Sequence, residues 1–550
     1  MNRQQVMQRP LLMGLDEEYE VHPNGAAAAM LATLPKVVPC LADGAHGGNG
    51  WATAGGGIFY LDYHERLEAA GPECTCPAEL LRAQRASDEA LVRAARRLQE
   101  QEGTPIRLFR ASVDDVAGST AGSHCSTLFE GSLLSRETLA AELTAWSVGS
   151  RLLTGAGGFD WRSRHGFVVA ARSRFMEHVI SSESTHARGI NHTREESLVA
   201  EGSSLEREHY LLEDCNRSGW SVAFRFLRPV LIRLLECGVR FDLQLQSPLA
   251  ALRAVVEDAT GQTRLRLQDG RSYTSVELLQ AYLEQVRAWV GYRDFPDWVE
   301  GLVAAAEACL QSLQRQGREP TSASSFEPWD LRLDWAIKKA FFEEYMARQG
   351  VSWETFRTAG ALLVEPRWFT ALPDRMRPDR VRQSLGDSFP FFEQRRASLN
   401  LSWQALERLY PVVAEVLALN KKYHELGPAS LYEQWKQAGL VEDSFLTEEE
   451  VKAALTTPPS TTRAWARGQG VAELATAGRE GWATWTAVID ATQGRMADLG
   501  SPFQTELLWQ SQPQLAEREQ GRSRIRRLRS AGLPWIELLR EEVFRNERTP

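Results

Sequence analysis

Long apolar runs are missing from this chain of 550 residues. No stretch of about eighteen uncharged apolar residues occurs, which excludes a membrane-spanning helix. Even the most apolar helical candidate, Val222 to Cys237, carries Arg225, Arg228 and Arg233. The opening MNRQQVMQRPLLMG has no apolar core of signal-peptide length, so a cytoplasmic protein without a membrane partner is expected. A basic surplus is missing too. With 63 Lys and Arg against 72 Asp and Glu, the net charge is −9, which argues against a nucleic-acid partner. Cysteine is sparse: Cys40, Cys74, Cys76, Cys125, Cys215, Cys237 and Cys309 are odd in number and scattered, which fits reduced thiols. The Cys74-x-Cys76 pair has no matching second pair, so structural zinc is not expected. No repeat at solenoid periods occurs.

What is present suits a large enzyme. With 43% hydrophobic and 25% charged residues the chain can bury an extensive core, and its length suggests one large unit plus a smaller one. The expected division is 1–468 and 469–550. Residues 41–57 are rich in glycine and read as a mobile connection between two strands. Strand character resumes at Ile58 to Asp62 and again at Ile106 to Ala111, with a helix between them that starts at Pro77. Helical patterns follow at 136–153, 222–237, 277–316, 329–348 and 403–419. Strands that mix with long helices without strict βαβ repeats predict an α+β fold, a largely antiparallel sheet backed by helices.

The sequence GLDEEYEV at Gly14 to Val21 raises a chemical problem. In a strand, Leu15, Glu17, Tyr19 and Val21 share one face, and Asp16, Glu18 and Glu20 the other. Carboxylates roughly 6 to 7 Å apart on one face repel unless a cation or solvent lies between them. An edge strand with solvated acids is the plainer alternative. A second acidic cluster, FYLDYHERLEAAGPEC at 59–74, adds Asp62, Glu68 and Glu73. Oxygen-rich sets of this kind suit Mg²⁺, which bridges phosphate oxygens in ATP chemistry. A loop at 114–131, DDVAGSTAGSHCSTLFEG, could hold phosphate through backbone amides, although it matches no Walker pattern. GINHTREES at 189–197 and REHYLLEDCNRSGW at 207–220 supply further polar groups, among them His209 and Asn216.

Taken together, in order and spacing, these segments resemble the Pup ligase and Pup deamidase family, relatives of glutamine synthetase. The resemblance spans roughly residues 11–500 and rests on GLDEEYE, YLDYHERLEAAGPEC, DVAGSTAGSH, LLTGAG, HTREE, HYLLEDCN, LDWAIKK, YHEL, KQAGL and PPSTTRAWARG. It implies a glutamine synthetase-like fold with a small C-terminal domain, and ATP with Mg²⁺ as cofactors. It implies metal ligands at Asp16, Glu18, Glu68, Glu73 and His209, and a catalytic base at Asp62. Arg194 and Arg463 would face phosphate, and Asn216 would belong to the cofactor site. Trp335 matches a family tryptophan, for which core packing is the better reading.

Several positions depart from the family pattern. Asp16 stands where glutamate is usual, His124-Cys125-Ser126 replaces a His-Glu-Asn triplet, Arg66-Leu67 replaces His-Pro, and Gly219 replaces an acid. A divergent branch is implied. The leading expectation is an ATP-dependent ligase that activates a glutamate carboxylate of a small Pup-like protein as an acyl phosphate and joins it to a lysine of a target protein. The alternatives are a deamidase or isopeptidase, whose branch carries a longer insertion than residues 22–57 provide, and a nucleotide-binding pseudoenzyme that retains the modifier. In the tail, REQGRSRIRRLRSAGLPWIELLREEVF at 518–544, clustered arginines precede an amphipathic pattern. A solvated helix is the plainer reading, and docking of an acidic partner the functional one.

Overall fold

The computed structural model describes residues 3–46, 49–62, 65–116, 118–193, 198–290, 295–316 and 332–512. Arg194 and the basic tail at 518–544 lie outside the described residues. The acidic segment forms β1 (Met13–His22), whose residues alternate strictly between buried and partly open. This is the two-residue period of a strand with one face on the core. Next come β2 (Cys40–Asp43), β3 (Gly50–Thr53), β4 (Ile58–Asp62), β5 (Arg66–Ala70), β6 (Arg107–Phe109) and β7 (Ser123–Glu130). Three two-stranded pairs stand apart from the main sheet: β8 (Gly158–Phe159) with β9 (Phe167–Val168), β10 (Met176–Ser181) with β11 (Arg188–His192), and β13 (Arg264–Arg266) with β14 (Ser272–Thr274). The main sheet is completed by β12 (Leu205–Tyr210), β15 (Gly481–Ala483), β16 (Ala487–Asp490), β17 (Arg495–Asp498) and β18 (Trp509–Ser511).

This 12-stranded sheet runs β12-β7-β1-β5-β4-β3-β2-β15-β16-β17-β18, with β6 also on β1. Its pairings are antiparallel except for β2 with β15. The α+β expectation holds. The glycine-rich segment 41–57 is not one loose connection, because it contributes β2 and β3 to the sheet. The reason is close approach: a Cβ at Gly50 would come within 2.4 Å of the Phe59 carbonyl on the neighbouring strand. The expected boundary at 468/469 falls inside the helix Arg463–Thr476, and β15 joins the strands beyond it to the main sheet.

Helices cover one face of the sheet. Pro77 opens the helix Pro77–Glu102 and Gly103, in the left-handed region, ends it. Its Ala90, Leu91, Ala94 and Leu98 pack against Tyr19, Val21, Phe59 and Leu67 of the strands. Each fully buried leucine there contributes about 1.5–3 kcal/mol. A larger core gathers Cys125, Phe129 and Tyr210 of β7 and β12 with helices Arg136–Gly149, Leu227–Glu236 and Ser275–Val290. The long pattern at 277–316 resolves into two helices, Ser275–Val290 and Trp298–Gln316, and Pro296 lies between them, where a helix loses a donor. Among the described residues no helix is long and apolar enough to cross a membrane.

Candidate active site

Five neighbouring strands aim alternate side chains into one cavity of about 610 Å³ on the sheet face opposite the Pro77–Glu102 helix. Register builds the acidic wall. Glu18 of β1 pairs with Glu68 of β5, which pairs with Tyr60 of β4, so these three side chains form a row across the sheet. Asp16 lies one step along, opposite His124 of β7, and Gly14, Ser126 and His209 form the row after that. A carboxylate oxygen from each of Glu18, Asp62 and Glu68 lies within 4.8 Å of the others.

Burial, reinforced by Asp16, Glu18 and Asp62, pushes the Glu68 carboxyl well above its ordinary range. Burial also raises Asp16 to about 6, with Arg207 pulling it back down and Glu17 adding to the rise. Acids crowded in this way are stabilised by a cation, and oxygen donors on adjacent strands fit Mg²⁺. Glu17, on the other face of β1, belongs to the core: Gln84, Arg110 and Ser123 all donate to it.

Basic groups border the same cavity. Arg66, Arg172, Arg188, Arg207 and Arg463 all border the cavity. Arg172 is buried, donates through Nε to the Leu211 carbonyl at 3.0 Å and through Nη2 to His124 Nε2 at 3.2 Å. Its Nη1 is buried without a protein partner. Accepting from Arg172 requires a neutral His124, in keeping with burial and the neighbouring Arg172 and Arg188, which hold its imidazole well below the usual range. Burial and Arg172 likewise push Arg188 down to about 10. These cations are stabilised by an anion with several oxygens, as phosphate provides.

The expected site residues divide. Asp16, Glu18, Glu68 and His209 reach the cavity, and exposed Asp62 stands beside them. His209 Nδ1 lies 3.2 Å from Ser126 Oγ. Glu73, expected among the metal ligands, also borders the cavity, with both carboxylate oxygens held by arginines: Arg463 Nε donates at 2.7 Å to one and Arg467 Nη2 at 2.7 Å to the other. Against the upward push of burial, Arg467 and Arg463 hold Glu73 at about 2. Arg463, expected to face phosphate, borders the cavity. Asn216 does not reach it: fully buried, it donates to the Thr154 carbonyl and to Asp334, and accepts from Arg225. Trp335 is core, its indole N–H donating to the Leu152 carbonyl at 2.9 Å.

The departures from the family pattern acquire a physical meaning. Cys125 points into the core on the face away from His124 and Ser126, its sulfur 3.9 Å from Arg225, so losing an acid there removes nothing from the cavity. Arg225 also donates to Ser123, the Asp214 carbonyl and Asn216. At Gly219, a Cβ would meet the Asp443 carboxylate at 2.7 Å, so an acid from a distant segment already fills that space. Arg66 donates to the Thr120 carbonyl at 2.6 Å and reaches Glu18 at 3.4 Å.

Sequence reasoning missed Arg172, Arg188 and Arg207. Arg207 was within reach, because it precedes His209 by two on the same strand face. Arg172 sits in the 3₁₀ turn Ala171–Phe175, where no strand period points to it.

The profile of the family described as Pup-ligase protein matches residues 16–363 and 391–489. The Pup–protein ligase of Corynebacterium urealyticum is 26% identical over 470 residues, covering 81% of this chain and 80% of that protein. The depupylase of Acidothermus cellulolyticus is 30% identical over 334 residues, covering 58% and 62%. Among solved structures, the ligase PafA in complex with the prokaryotic ubiquitin-like protein Pup matches with a TM-score of 0.69 at 20% identity, over 93% of this chain and 92% of that one. The Pup ligase PafA in complex with ADP matches with a TM-score of 0.64 at 22% identity, over 83% and 88%. At these identities the structural likeness speaks for the fold.

Proposed function

The chain belongs to the Pup-ligase protein family, and from that premise we propose that it is an ATP- and Mg²⁺-dependent ligase that joins a glutamate carboxylate of a small Pup-like protein to a lysine of a target protein. One observation carries the reading. The cavity brings together the Asp16 and Glu68 carboxyls, pushed up by burial, and five arginines, of which Arg188 is pushed down by burial and its neighbour Arg172, a lining complementary to magnesium and polyphosphate together. Bound Mg²⁺ would supply charge neutralisation at the phosphate oxygens. Glu18 and Glu68, with Asp16 and His209 beside them, are the residues proposed to hold it. Glu73 acts one step back by fixing Arg463.

The proposed chemistry has two stages. A glutamate oxygen of the modifier takes the terminal phosphoryl group of ATP, and Arg172, Arg188 and Arg463 face the transferred charge. The lysine nitrogen then attacks the acyl carbon, and phosphate departs with the bonding electron pair. Asp62, exposed at the mouth of the cavity, accepts a proton from the incoming amine. The test incubates the protein with ATP, Mg²⁺, a Pup-like protein ending in glutamate and a lysine-bearing acceptor. An isopeptide conjugate, identified by mass spectrometry and formed with equimolar ADP, is expected. Hydrolysis of a modifier ending in glutamine or of a preformed conjugate, without any ligation, would assign the chain to the depupylase branch. Nucleotide binding without either reaction would leave a pseudoenzyme.

A further inference from the structure

The turn after β2 holds a pair of side chains that the two-stage chemistry does not use. Asp43 is buried, and its Oδ2 lies 2.6 Å from His46 Nδ1. The same carboxylate accepts the backbone N–H of Ala45 at 2.7 Å and of His46 at 3.2 Å. A carboxylate pinned by two backbone donors takes Nδ1–H as its third, which leaves Nε2 as the basic nitrogen. The ring plane is fixed as well, because His46 stacks on Tyr60 with centroids 3.7 Å apart and planes 11° from parallel. Gly50 leaves room for the arrangement: a Cβ there would stand 3.0 Å from Asp43 Oδ2 and 2.9 Å from Tyr60 Cβ. His46, Tyr60 and Asp62 border the same cavity. Asp62 follows Tyr60 on the same strand face, roughly 6 to 7 Å further along.

We propose that His46, oriented by Asp43, is a second proton acceptor for the attacking amine, working beside Asp62. The proposal rests on the ligase reading and follows from its stoichiometry. A lysine ammonium enters with three protons on nitrogen and leaves as an amide N–H with one. As the C–N bond forms and the bond from the acyl carbon to phosphate oxygen breaks, two protons must leave nitrogen. Asp62 takes one and His46 Nε2 the other, and each returns its proton to water before the next turnover. A single carboxylate would have to discharge in mid-reaction. Asp43 is the positioning residue, setting the tautomer and the direction of the ring.

Two variants and one spectroscopic measurement test this. His46→Phe keeps a ring to stack on Tyr60 but has no nitrogen, whereas His46→Ala leaves space for free imidazole. Relative to wild type, kcat for ligation is expected to fall by about 10²–10⁴-fold in both, with KM for ATP and modifier nearly unchanged. Added imidazole is expected to restore His46→Ala but not His46→Phe. Long-range ¹H–¹⁵N spectra of the wild type should show His46 protonated at Nδ1 with a bare Nε2, a signature lost in Asp43→Asn. Wild-type kcat in His46→Phe, no rescue of His46→Ala, or a His46 protonated at Nε2 would each overturn the proposal. A wild type that forms no conjugate overturns the ligase reading instead, and the tautomer measurement still decides whether the dyad exists.

Discussion

Replacing Glu73 by glutamine keeps the side chain's size and removes the charge that Arg463 and Arg467 both face. The two guanidiniums hold the Glu73 carboxyl at about 2 against an ordinary 4.5. At 1.36 kcal/mol per unit, the fold favours the ionised form by about 3 kcal/mol. This lies within the range of about 3–5 kcal/mol for deleting one partner of a buried pair, and both arginines are almost wholly buried. The loss should appear where the pair acts, at the junction between the end of β5 and the helix Arg463–Thr476. In hydrogen exchange at neutral pH, amides of that helix that exchange by local opening should do so roughly a hundredfold faster in Glu73→Gln. The sign of the pH dependence follows from a depressed folded pKa. The stabilisation is fully present above 4.5 and is lost as pH falls toward 2, so wild type and variant should converge in acid denaturant melts. Equal protection in the two proteins, accompanied by weaker magnesium binding in the variant, would refute the ion-pair reasoning and return Glu73 to the metal ligands.

Glu18→Gln and Glu68→Gln should act in the opposite sense. Both should weaken magnesium-dependent binding of a non-hydrolysable ATP analogue in calorimetry, while Glu68→Gln raises the stability of the metal-free protein, because its charge is disfavoured there. Asp62→Asn should keep nucleotide binding and lose about 10²-fold or more in conjugate formation; parallel loss of both would remove Asp62 as the base. Trp335→Phe should cost about 1 kcal/mol for the missing indole hydrogen bond and leave kcat unchanged, as urea melts and ligation rates would show. Truncation after Ala516 should leave ATP binding intact, raise KM for the protein partner and flatten its salt dependence; an unchanged salt response would assign recognition elsewhere.

The β1 face was legible because the strand obeys a two-residue period, which put Asp16 and Glu18 together from sequence alone, whereas Glu68 and His209 entered as metal ligands through the family resemblance and the strand register is what brings them onto the same face. Glycine misled at 41–57. There it marks strands that touch backbone to backbone, and composition alone does not separate that use from a loose loop. Long-range partners were illegible. Glu73 is engaged by arginines nearly four hundred positions away, 390 for Arg463. Asn216 is engaged by Asp334 and Arg225, which no local pattern connects to it. The Asp43–His46 pair is close in sequence, yet only the stacking on Tyr60 gives it a direction.

The parallel pairing of β2 with β15 has a consequence for synthesis. Ala42 waits for Trp482, 440 residues later in the chain. At 5–20 residues per second the ribosome needs roughly 20 to 90 s to deliver it. During that interval the β2 edge is an unsatisfied row of amides and carbonyls open to any passing strand. Trp485 and Arg463, both bordering the cavity, arrive in the same late stretch. A nascent chain therefore displays its acidic strands long before the residues that complete the cavity wall have been made.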